Sequence, residues 1–337
     1  MRGHTPTHAA VLAVATLVAC SRSHGTDSDD VEGMDSGPVD AAAPDLPPPD
    51  MFNLSIALGC GWETIELSPG VSLRGVHGRQ TAGLNPVWLV GDDGFAFGWA
   101  DGPPLQTVQT DEGALLSSAW HDGEDSLWAT ELPGSMMRLS DDEWERFDSG
   151  VDEALLAVDG SSPDSAWAVG IRGVMAEWDG TSWSAHPSLV EHDLTGLSVV
   201  AVDDVWAVGS SDDGGVVLHF DGTEWSIEEL DARLHDVSVK EPDDVWVVGS
   251  GVFHWDGARW SEEDVGSPGE WASVAVVGSQ VWIAGVADRV LMRRFDGSWL
   301  TALEGTGPLW DMWLHTFSGD LWVTGEGVAH RCMPFFL

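Results

Sequence analysis

The sequence predicts an all-β, seven-bladed β-propeller, from a recurring tryptophan, a glycine that follows it, and hairpin signals between short apolar runs. The tryptophan stands at Trp88, Trp128, Trp167, Trp206, Trp246, Trp282 and Trp322, with spacings of 40, 39, 39, 40, 36 and 40 residues. The glycine follows as Gly91, Gly170, Gly209, Gly249, Gly285 and Gly325. A period near 40 with four short strands per unit is the mark of a propeller blade.

Residues 203–226 (DDVWAVGSSDDGGVVLHFDGTEWS) carry the pattern most plainly. An apolar run around Trp206 precedes an alternating run ending at Phe220, and a third run opens with Trp225. Asp221-Gly222 is the hairpin signal, because glycine tolerates the left-handed backbone of a tight turn. The same ending recurs as Trp178-Asp179-Gly180, Trp255-Asp256-Gly257 and Phe295-Asp296-Gly297. The fourth strand opens at Trp144, Trp183, Trp225, Trp260 and Trp299. Of the 20 tryptophans, 13 fall on these two positions when Trp62 is counted, so most read as blade packing and not as ligand contacts.

The chain divides into residues 1–19, 20–58 and 59–337. Arg2 and the apolar run 9–19 read as a targeting segment too short to span a bilayer as a mature helix. It ends in Leu17-Val18-Ala19-Cys20, which resembles the bacterial lipobox. That resemblance implies cleavage before Cys20 and acyl chains, such as palmitate, on its sulfur. Several chains on one cysteine give stable anchoring, where a single chain is marginal. Ser21 at the next position implies the outer membrane by the enteric sorting rule. An ordinary secretory peptide with a chance cysteine is the alternative. Residues 20–58 are rich in Ser, Gly, Asp, Ala and Pro and read as a disordered tether.

Residues 61–67 (GWETIEL) form a fourth-strand sequence with no blade before it, while the seventh repeat stops at Met333 without a fourth strand. The two pieces are expected to complete one blade, which closes the ring and removes an exposed edge. Aligning His330-Arg331-Cys332 with His254-Trp255-Asp256, and Trp62 with Trp260, brings Cys60 near Cys332. A Cys60–Cys332 disulfide would then replace the covalent turn that the chain ends break. Two free thiols are the alternative.

The blades read as about 71–110, 114–148, 154–188, 194–230, 234–264, 271–303, and 309–333 with 61–67. Each first strand carries apolar residues three apart: Leu73/Val76, Leu155/Val158, Leu194/Leu197, Leu234/Val237 and Trp310/Trp313. Residues inside these pairs are expected to face the central channel or the next blade. The loops that enter the first strands form one face, for which Arg74, Asp193, His235, Asp236, Trp310 and Asp311 are the candidate binding residues. Their carboxylates could hold a divalent cation such as calcium or meet a basic partner. A merely acidic surface explains them as well, since the net charge is −42. That charge, with Lys240 the only lysine, argues against a nucleic-acid partner.

No HExxH, GxSxG or phosphate-binding loop is present, so no catalytic residue is assigned. His219, His254 and His330 read as equivalent third-strand positions spread around the ring, not as a metal cluster. The repeat VWAVG…HFDGTEW resembles the Trp-rich, sialidase-like (BNR-type) propellers, including the photosystem II assembly factor type, over residues 61–333. The resemblance implies an exported propeller, and it speaks weakly to function because such folds host enzymes and scaffolds alike. The expectation is a non-catalytic, membrane-tethered binding or scaffold module of the cell envelope. A glycan hydrolase of the sialidase-like type and an outer-membrane assembly component are the alternatives, so an envelope protein or a glycan is the expected partner.

Overall fold

The turn at Asp221 shows how one repeat becomes a blade. Its Oδ1 accepts the backbone N–H groups of Thr223 and Glu224 at 2.9 Å, and Gly222 takes φ +86°. The carboxylate and the glycine together reverse the chain, which is why Asp-Gly recurs at this place. The turns at Asp179 and Asp256 are built in the same way. In the fourth repeat the strands Asp193–Ala201, Asp204–Ser211, Gly214–Phe220 and Trp225–Leu230 lie side by side in that order. Val205, Trp206, Ala207 and Val208 are all buried, because neighbouring blades cover both faces of the second strand.

This computed structural model describes residues 14–16, 60–67, 71–80, 86–99, 106–110, 115–266, 268–286, 288–294, 296–316 and 318–334. Seven antiparallel sheets form the ring. Their innermost strands are Leu73–Gly78, Leu116–His121, Leu155–Ser162, Asp193–Ala201, Leu234–Glu241, Trp271–Val277 and Leu309–Leu314. The last blade is closed by Cys60–Glu66, which pairs antiparallel with Val328–Pro334. A further strand, Val14–Thr16, lies outside Cys60–Glu66 in the same sheet. It falls within the segment read as a signal peptide. Cys20 and its tether lie outside the described residues.

The two repeated tryptophans meet across the seams between blades. Trp128 faces Trp183 at 5.5 Å, Trp167 faces Trp225 at 5.6 Å, Trp206 faces Trp260 at 6.5 Å and Trp246 faces Trp299 at 6.3 Å. All four pairs are edge-to-face, with interplanar angles of 74–78°. Each indole removes roughly 150–250 Å² from water, so these seams outweigh any surface ion pair.

The repeated glycine answers to space. A Cβ at Gly91, Gly170, Gly209 or Gly249 would lie 1.9–2.1 Å from a carbonyl oxygen of the loop entering the first strand. The second blade has Glu131 there; it is buried and paired with Arg146 at 2.8 Å.

The equivalence expected for His330 does not hold. Trp206 lies opposite His219 and Trp246 opposite His254, but Trp322 lies opposite Arg331. The third strand of the last blade is displaced by one residue from the expected alignment. Arg331 stacks on Trp322 at 5.3 Å and pairs with Asp320 at 2.6 Å, as His254 stacks on Trp246 and pairs with Asp244. His330 instead contacts Thr64 Oγ1 at 3.1 Å, and burial lowers its pKa to about 4.

Candidate functional site

A β-bulge at the start of every first strand builds the channel mouth. The register slips between Leu73 and Gly75, Leu116 and Ser118, Leu155 and Ala157, Leu194 and Gly196, Leu234 and Asp236, Trp271 and Ser273, and Leu309 and Asp311. Plain alternation would bury residues two or four apart. The extra residue lets Leu234 and Val237, three apart, both turn into the blade, while His235 and Asp236 are left half-buried. The same holds for Leu73 and Val76 around Arg74. In the last blade it holds for Leu309 and Met312 around Trp310 and Asp311, not for the expected pair Trp310/Trp313, because the bulge lies between Leu309 and Asp311.

In three blades the second residue of the bulge reaches the next blade. Asp311 Oδ2 accepts the Val76 N–H at 2.8 Å, Asp236 Oδ2 accepts that of Val274 at 2.9 Å, and Ser118 Oγ accepts that of Val158 at 3.3 Å. Two residues farther along lies a second tier. His77 Nδ1 accepts the His121 N–H at 2.9 Å, Asp159 Oδ2 that of Val199 at 2.7 Å, and Ser238 Oγ that of Val276 at 3.2 Å. Candidates Asp236 and Asp311 are thus fasteners of the ring as well as channel residues.

Ser273 Oγ lies 2.9 Å from Asp236 Oδ2 and 3.4 Å from Asp311 Oδ1, so the two carboxyls meet at one hydroxyl. Burial raises the pKa of Asp311 to about 7 and that of Asp236 to about 6, and the charge of Asp236 pushes Asp311 further. Asp159 is raised to about 7, again chiefly by burial. The three side chains are half-buried.

The remaining candidates sit at the rim. The Arg74 guanidinium lies 5.3 Å from the Trp310 ring and 3.5 Å from Asp92, across the seam that closes the ring. His235 and Arg233 share Glu270, at 2.8 and 2.9 Å. Asp193 is exposed and accepts the Arg172 N–H at 2.8 Å, while the Arg172 side chain pairs with Glu153. The structure therefore joins Arg74 to Trp310, and Asp236 to Asp311, but leaves Asp193 and His235 in separate sectors. Sequence reasoning missed Asp159 and Ser273; the bulge, implied by the apolar spacing of three, is the signal that could have found them.

Arg74, Arg172 and Arg233 belong to blades one, three and five, and each is engaged by its own carboxylate. Among the described residues no group of three or more His, Cys, Asp or Glu is placed to hold a metal ion.

No protein-family model matches the chain, and no curated protein matches it. Solved structures do. "YCF48 bound to D1 peptide" shares 16% identity at a TM-score of 0.65, covering 81% of this chain and 97% of that one. Virginiamycin B lyase from Staphylococcus aureus shares 10% identity at 0.67, covering 81% and 99%. The WD40 β-propeller domain of Doa1 shares 13% at 0.64, covering 80% and 95%. At such identities the likeness is one of fold, and by fold this chain is a seven-bladed β-propeller.

Proposed function

We propose that this chain is an envelope lipoprotein, anchored through Cys20, whose propeller binds a protein partner without catalysing a reaction. The observation that carries the reading is the rim at the closing seam, where Arg74 is held over Trp310 at 5.3 Å beside Asp92. Arginine and tryptophan are the side chains that most often anchor a protein interface, and here both are held in place before any partner arrives. The YCF48 structure with a D1 peptide is a propeller of similar fold that binds a peptide, which supports the same use here. A sialidase-like hydrolase would need arginines gathered beside paired carboxyls, whereas Arg74, Arg172 and Arg233 serve separate blades.

Capture from envelope extracts with the chain from residue 59 onward tests the reading. A stoichiometric protein should be recovered, and Arg74→Glu should release it by about tenfold or more. Recovery unchanged by Arg74→Glu counts against this rim. Sustained turnover of a glycan overturns the non-catalytic reading.

A further inference from the structure

In three of the clefts beside a second-strand tryptophan the protein itself fills the space. The filling position lies three residues after the fourth-strand tryptophan. In the cleft between blades two and three it is Phe147, 5.0 Å from the Trp128 ring, with Arg138 over both rings. Between blades three and four it is His186, 4.6 Å from the Trp167 ring and 2.6 Å from Glu177.

Between blades five and six the position is Glu263. It pairs with Arg293 at 3.7 Å, and the Arg293 guanidinium lies 5.2 Å from the Trp246 ring. His254 covers Trp246 as well, at 4.3 Å. A carboxylate, an indole and a guanidinium thus complete that cleft.

Between blades four and five every part of this arrangement recurs except the cation. His219 stacks on Trp206 at 3.8 Å, and Trp260 stands edge-on at 6.5 Å. Glu228 lies opposite Val217, as Glu263 bonds to Val252, so the two glutamates are equivalent. The residue equivalent to Arg293 is Trp255: Arg293 pairs with Trp299, and Trp255 with Trp260. What remains is an open cavity of about 270 Å³ lined by Trp206, His219, Glu228, Trp255 and Trp260, among others. That is room for about nine waters, sufficient for a guanidinium and its methylenes.

We infer that this cleft receives an arginine side chain from a partner protein, in the place that Arg293 takes in the next cleft. Two half-buried indoles, Trp255 and Trp260, line the cavity, Glu228 supplies the counter-charge for a cation, and Asp204 holds His219 in position at 3.0 Å. The net charge of −42 favours the approach of a basic segment. The cleft lies at the rim opposite Arg74 and Trp310, so this inference and the proposed docking face stand or fall separately.

The test titrates the full chain with acetylated, amidated Gly-Arg-Gly while following indole N–H resonances. The Trp260 signal is assigned from Trp260→Phe. Saturable shifts at Trp260 and Trp255 are expected, with binding weakened about tenfold by Glu228→Gln and unchanged by Glu263→Gln. The citrulline peptide, which keeps the shape and loses the charge, should bind at least tenfold more weakly. Equal binding of the citrulline or lysine peptide, no shift at Trp260, or indifference to Glu228→Gln overturns the inference.

Discussion

Asp311 accepts the backbone N–H of Val76 at 2.8 Å, a bond that ties the last blade to the first across the channel wall. The residues are far apart in sequence, and neither belongs to the strand exchange that closes the ring at its outer edge. Closure is therefore made twice: at the rim by Cys60–Glu66, and at the centre by a carboxylate.

The central fastening is pH-sensitive. Asp159 and Asp311 hold their protons to about pH 7 and Asp236 to about pH 6, against 3.8 for an ordinary Asp. Between those limits the folded chain binds more protons than the unfolded one. Their contribution to stability is thus fully present below about pH 4 and is lost as pH rises through 6–7. Urea unfolding at pH 5 and pH 8 should show the loss. Asp311→Asn, which can still accept the Val76 N–H, should reduce it by on the order of 1–2 kcal/mol, because the half-exposed side chain is screened by solvent. An unchanged difference between the two pH values would exclude Asp311 as a source.

The spacing at the repeated glycine predicts an uneven response to alanine. At Gly209 a Cβ would stand 2.1 Å from the Asp193 carbonyl oxygen, and backbone must move. At Gly285 its nearest neighbours, the Glu270 carbonyl oxygen and the Trp271 ring, are 3.1 Å away. Gly209→Ala should cost roughly 2–4 kcal/mol and Gly285→Ala about 1 kcal/mol, read from denaturant midpoints at equal slope. Equal costs would contradict the close-approach account.

The strand register sets Trp62 opposite Cys332 and Cys60 opposite Pro334, so the two cysteines are diagonal neighbours across one ladder. A disulfide between them would close nearly the whole domain, and the loop-entropy relation assigns it roughly 4–5 kcal/mol less strain. Peptide mapping of the oxidised protein should recover the Cys60–Cys332 link, and reductant should lower the melting temperature. Native protein in which both thiols react freely would refute the link.

Cys20 should carry acyl chains. Fatty-acid labelling should mark the wild-type chain and not Cys20→Ala, and the unlabelled variant should leave the membrane fraction. Labelling that persists in Cys20→Ala would place the anchor elsewhere.

The sequence by itself determined the number of blades, the turns and the shared last blade. Each follows from local chemistry repeated in register: Trp206 and its six counterparts, Asp221-Gly222, and a fourth-strand sequence at 61–67 that lacks a blade of its own. Only the tertiary structure decided what the candidate residues touch. Asp311 could be read as a mouth residue, but a bulge and a neighbouring blade make it the acceptor for Val76. His330 could be aligned with His254, but one residue of register gave that place to Arg331. Glu228 and Glu263 are alike in sequence, yet one faces an arginine and the other an open cleft, because the residue across the seam is Arg293 in one case and Trp255 in the other. Period and turn chemistry are local and can be read along the chain. Contacts across a seam depend on how two repeats meet, and that is set by packing.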